Sequence, residues 1–131
     1  MPSNTRKHAW PIAVVADVLV VIVFAAVGRS NHHESAGAAG VWHVAWPFLL
    51  GTAIALVLSA VTRTDPLSLR AGVRVWLWTV VIGMVVRASL GEGTALSFIV
   101  VALIVLGALF LGWRLALGWQ RWRSRLRIFS R

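Results

Sequence analysis

Four stretches of this chain are apolar for long enough to cross a bilayer, and short polar segments separate them. The first runs from about Trp10 to Val27, the second from about Val44 to Val61, the third over 72–90 and the fourth from Ala95 to about Leu115. Pro11 sits near the expected start of the first helix, where a missing N–H costs little. The residues before it, Met1 to Ala9, are polar and basic and are expected to be disordered or to lie at the surface. Gly28 to His43 reads as a flexible connection. In the second span Gly51, Ala55 and Ser59 recur every four residues, giving one small-residue face for close helix contact. Asp65 followed by Pro66 predicts a helix N-cap and first helical residue ahead of the third span. That span is the weakest, because its uninterrupted apolar core, Val75 to Val86, covers only about 18 Å by helical rise. It reaches across about 30 Å of hydrocarbon only if Arg74 and Arg87 extend towards opposite headgroups.

Charge decides in favour of the weak span. With four crossings, Arg6, Lys7, Arg63, Arg70, Arg74, Arg114, Arg121, Arg123, Arg125, Arg127 and Arg131 share one side, and only Arg29 and Arg87 face the other. If the third span failed to cross, the basic residues would divide almost evenly. The positive-inside rule therefore selects an all-α integral membrane four-helix bundle with both termini cytoplasmic. The whole chain, 1–131, reads as one membrane domain, ending in a cytoplasmic Trp/Arg-rich tail over 116–131.

Composition narrows the function classes. The chain is 59 % hydrophobic and 13 % charged, against about 45 to 50 % and about 25 % in soluble domains. It has no cysteine, so disulfides, thiolate metal sites and cysteine nucleophiles are excluded. Arg6 and Lys7 resemble the start of a signal peptide, but Asp17 interrupts the apolar region and no small-residue cleavage pair follows cleanly, so a retained span is expected. Neither a phosphate-binding glycine loop nor a nucleophile triad nor a hydrolytic carboxylate pair occurs. An active enzyme would have to work with very few polar groups, and no cofactor is expected.

The candidate chemistry begins with Asp17, a carboxylate inside the first span. Inserting such a residue costs about 2.5 to 3.5 kcal/mol, so it is expected to face the protein interior with a partner. At about 100° per residue, Trp10, Ala13, Asp17, Phe24 and Gly28 share one arc of the first helix, and Gly72, Trp76, Gly83 and Arg87, with Thr79 at the edge, share one arc of the third. The two faces are expected to pack together. Asp17 would accept a hydrogen bond from the Trp76 indole or the Thr79 hydroxyl, with Arg74 or Arg114 as the compensating charge. Such a group either couples ligand binding to protonation or fixes two helices in register.

A second cluster, Arg29, His32, His33, Glu34, Arg87 and Glu92, with His43 nearby, gathers at the outer ends of the first three spans. No metal is expected there, because the ligand spacing matches no known motif. Arg29 and Arg87, lying on the side otherwise free of basic residues, call for a fixed anionic partner such as Glu92 or a ligand. In the tail, Trp119, Trp122, Leu126 and Phe129 fall on one helical arc, with Arg121, Arg123 and Arg125 around it. This predicts a basic amphipathic interfacial helix on anionic inner-leaflet lipids, each arginine contributing about 1 kcal/mol. Nucleic acid is not an expected partner. Trp10, Trp76, Trp78 and Trp113 would form the inner aromatic belt, and Trp42 and Trp46 the outer one.

Asp17, the GRSNHHE run from Gly28 to Glu34, WPF at Trp46 to Phe48, the series Gly72, Trp76, Thr79, Gly83 and Arg87, and GWR at Gly112 to Arg114 together resemble a family of small four-span prokaryotic membrane proteins, domain of unknown function 3054. The likeness runs from Asp17 to Arg114 and implies the fold but no activity. Small multidrug-resistance transporters share the length, the span number and a carboxylate in the first helix, but nothing around that carboxylate matches. Two functions remain: an accessory or structural membrane component anchored to lipid or to a larger complex, and a small proton- or cation-coupled transporter or channel-like protein, working as a homodimer, that uses Asp17.

Overall fold

The computed structural model describes residues 3–31, 37–92 and 94–129, with side chains over 8–29, 37–92 and 94–128. It contains four helices and, among the described residues, no strand: α1 (Ser3–Asn31), α2 (Ala38–Val61), α3 (Leu69–Ser89) and α4 (Leu96–Phe129). Each is long and apolar enough to cross a membrane. The helices alternate in direction, so α1 begins and α4 ends at the same end of the bundle.

Every helix is longer than its apolar run. Residues 3–9 are helical rather than disordered, which places Pro11 inside α1. The expected flexible connection is shorter, because α1 extends to Asn31 and α2 begins at Ala38. The 21 residues of α3 span about 31 Å by helical rise, enough for the hydrocarbon core. The tail is not a separate element: α4 continues unbroken for 34 residues.

Asp65 and Pro66 do not start α3. The Asp65 carboxylate accepts the Leu67 N–H at 3.0 Å and its carbonyl accepts the Ser68 hydroxyl at 2.6 Å, so the pair shapes a turn. Ser68 is the N-cap, its Oγ accepting the Ala71 N–H at 3.2 Å. This turn tucks Pro66 and Leu67 into the mouth of the bundle, where Leu67 packs with Ala9 and Ala13 of α1 and with Trp113 and Leu117 of α4.

Around the bundle the order is α1, α2, α3, α4, with α4 closing on α1; α1 and α3 lie diagonally and do not pack together. Small residues face inward (Ala13, Ala25, Ala45, Ala55, Ala71, Ala102), while Val15, Val57, Val81 and Ile104 point outward. Small residues set beside the buried Phe48, Leu106 and Phe110, with apolar side chains on the outer face, suit a bundle surrounded by hydrocarbon, where close backbone approach rather than water exclusion drives helix contact. The closest approach is between α2 and α3, where a Cβ on Gly51 would stand 2.5 Å from the Trp78 carbonyl oxygen. Thr52 and Thr79 complete the contact with a hydroxyl pair at 2.7 Å.

Candidate functional site

Asp17 is fully buried, and its partners come from α4. Arg114 Nη1 donates to Asp17 Oδ1 at 2.9 Å and Nη2 donates to Oδ2 at 2.8 Å, a two-pronged ion pair with both side chains at 0 % exposure. The Trp113 indole N–H adds a third bond to Oδ1 at 3.0 Å. Arg114 is itself held on several sides: Nε donates to the Pro66 carbonyl at 3.1 Å and Nη1 to the Phe110 carbonyl at 3.2 Å. Its guanidinium carbon lies 4.3 Å from the Trp113 ring centroid. On α3, Gly72 makes room for the arginine, since a Cβ there would stand 2.8 Å from Arg114 Cδ. One carboxylate thus gathers α1, the α2–α3 turn, α3 and α4 around one guanidinium.

A planar fork matched to a carboxylate is the geometry in which a buried pair best offsets its desolvation, and Arg supplies it where Lys cannot. Among the described residues no buried side-chain polar atom lacks a partner, so the charges enter the bundle as a satisfied unit.

Of the residues expected around Asp17, only Arg114 meets it. The Trp76 indole instead donates to the Leu103 carbonyl at 2.9 Å and lies against Gly107 of α4. Thr79 bonds Thr52. Arg74 turns back to the end of α2, donating to Thr62 at 3.0 Å and to Ser59 and Thr64 at 3.4 Å. The expected packing of the Asp17 face on the Trp76 face is therefore corrected. Both faces point inward, but on diagonal helices each is used against α2 and α4, and Gly83 meets Phe48 of α2. Trp113, expected only in the inner aromatic belt, is the partner of Asp17 that lies outside the expected set. The signal for it was its place beside Arg114 in GWR, because adjacent helical residues can approach one target from two sides.

At the opposite end, His43 Nε2 lies 2.8 Å from Glu92 Oε1, joining the start of α2 to the α3–α4 turn. Among the described residues Glu92 thus has its partner in His43. The Arg87 guanidinium carbon stands 4.7 Å from the Phe98 ring centroid, and the Arg29 guanidinium rests on Gly40. His32, His33 and Glu34 lie outside the described residues. Between the two polar ends Phe24, Phe48 and Phe98 pack with ring centroids 5.3 to 6.3 Å apart. In the tail, the Trp119 and Trp122 rings lie with centroids 5.1 Å apart and planes tilted by 40° on the exposed continuation of α4, which carries Arg121, Arg123 and Arg125.

Neither the curated proteins nor the solved structures include a match to this chain. A family model described as protein of unknown function (DUF3054) does match, over residues 14–117, a stretch that holds Asp17, Pro66, Gly72, Trp113 and Arg114 and stops short of the tail. On that match, the chain belongs to the DUF3054 family.

Proposed function

We propose that this protein is a structural or accessory component of a cell membrane, inserted with both termini cytoplasmic, and that Asp17 with Arg114 is a lock holding α1 to α4. The observation that carries this reading is the complete engagement of Asp17: both carboxylate oxygens are held by one guanidinium, and an indole N–H takes a further lone pair. A transporting carboxylate has to exchange its partner for a proton or cation during each cycle. Here the partner is a permanent cation, itself fixed by two backbone carbonyls. The aromatic layer of Phe24, Phe48 and Phe98 also stands between this pair and the opposite polar end. The orientation is supported by the eleven basic residues that four crossings collect on the terminal side, against two on the other.

The test is flux through proteoliposomes loaded with a pH-sensitive dye and challenged with proton, sodium and potassium gradients. The lock predicts wild-type traces that superimpose on those of protein-free liposomes. A wild-type flux abolished by Asp17→Asn, in a variant that still folds, would overturn the reading in favour of a proton- or cation-coupled transporter.

A further inference from the structure

The last turns of α4 have no place in the lock. By helical rise, α4 is about 51 Å long, against about 30 Å of hydrocarbon and about 40 to 45 Å for a whole bilayer. Arg114 already sits level with the α2–α3 turn, so everything after Leu117 projects beyond the bundle. Over 118–128 no side chain is buried.

That projection is nevertheless patterned. At about 100° per residue, Leu115, Trp119, Trp122 and Leu126 share an arc about 60° wide. Arg123 and Arg127 border it on one side, and Arg125 and Arg121 on the other. All four apolar residues are about half-exposed. An apolar stripe edged on both sides by arginine is the profile of a helix lying in a headgroup layer, where the long side chains reach phosphates from either flank. A second copy of this helix fits worse. The residues that would border a seam between copies carry only positive charge, and the chain has no acidic residue after Glu92 to answer them.

We infer that the segment beyond Gly118 docks onto an anionic phospholipid leaflet through Trp119, Trp122 and Leu126, with α4 bending at Gly118 to lay it down. Gly118 stands where the helix leaves the bundle, and a Cβ there would meet nothing within 4 Å. Glycine is the weakest helix former after proline, so this is where α4 bends most easily. The docking is independent of whether Asp17 is a lock or a transport site.

The absence of cysteine makes the test clean. Full-length Leu126→Cys and Ser124→Cys variants carry an environment-sensitive NBD label in nanodiscs of pure phosphatidylcholine or with about one-third phosphatidylglycerol. In the anionic discs the label at 126 should shift to the blue and be shielded from an aqueous quencher, while the label at 124 stays exposed in both lipids. Added salt should reverse the shielding. Each Arg→Gln change among 121, 123, 125 and 127 should lower the docked-to-free ratio by about fivefold, and Gly118→Ala by a similar factor. Three results would overturn the inference: exposure at 126 in both lipids; equal shielding in both, which together with energy transfer between labels on separate copies would assign the stripe to a second copy; or shielding in phosphatidylcholine discs only when RNA is added.

Discussion

If the Asp17–Arg114 pair is the lock of the bundle, removing one partner should cost far more than the pair's net contribution. Asp17→Leu leaves the guanidinium with only the Pro66 and Phe110 carbonyls, and Arg114→Met leaves the carboxylate with only the Trp113 indole. An uncompensated buried charge costs about 3 to 5 kcal/mol. The separated helices keep their charge in lipid as well, which moves both values towards the lower end of that range. In the double variant no charge remains. Its cost is then set by the orphaned Trp113 N–H and Pro66 carbonyl, about 1 to 3 kcal/mol each. With about 3 kcal/mol for each single variant and about 4 kcal/mol for the double, the two single effects together should exceed the double effect by about 2 kcal/mol. Reversible unfolding in mixed detergent micelles, followed by far-ultraviolet circular dichroism, measures all three variants against wild type. Single variants that cost under about 1 kcal/mol each, or a cycle additive to within about 0.5 kcal/mol, would refute the lock.

Trp113→Phe keeps the ring but removes the indole donor to Asp17, and the same unfolding assay should register a loss of about 1.5 to 3 kcal/mol, as for a hydrogen bond to a charged group. Gly51→Ala drives a methyl into the α3 backbone and should be strongly destabilising, whereas Gly112→Ala meets open space and should be neutral or stabilising by up to about 1 kcal/mol; equal effects would contradict the α2–α3 approach. Arg63 closes α2 with φ at 55°, its N–H bonded to the Ala60 carbonyl and the Thr64 N–H to that of Ser59, so Arg63→Gly should raise stability by about 1 kcal/mol in thermal unfolding. Gly91, at φ 74°, ends α3 in the same way, and Gly91→Ala should lower stability by a similar amount.

Sequence alone determined the four apolar runs, the inward faces of α1 and α3 and the need of Asp17 for a buried cation, because side-chain direction about a helix axis and the cost of charge in lipid are local properties. It reduced the cation to Arg74 or Arg114. It also marked Gly51, Ala55 and Ser59 as a contact face, and all three are buried. Only the tertiary structure decided which faces meet. Periodicity states that a residue points inward, not which of two neighbouring helices it meets, and the ring order that sets α1 diagonal to α3 turned the Trp76 face towards α2 and α4. The Pro66 carbonyl was invisible for another reason: every residue carries the same acceptor, and only the path of the Asp65 turn aims this one at Arg114. The continuity of α4 follows from what the tail lacks. No proline interrupts Leu96 to Phe129, so nothing stops the helix where the membrane does.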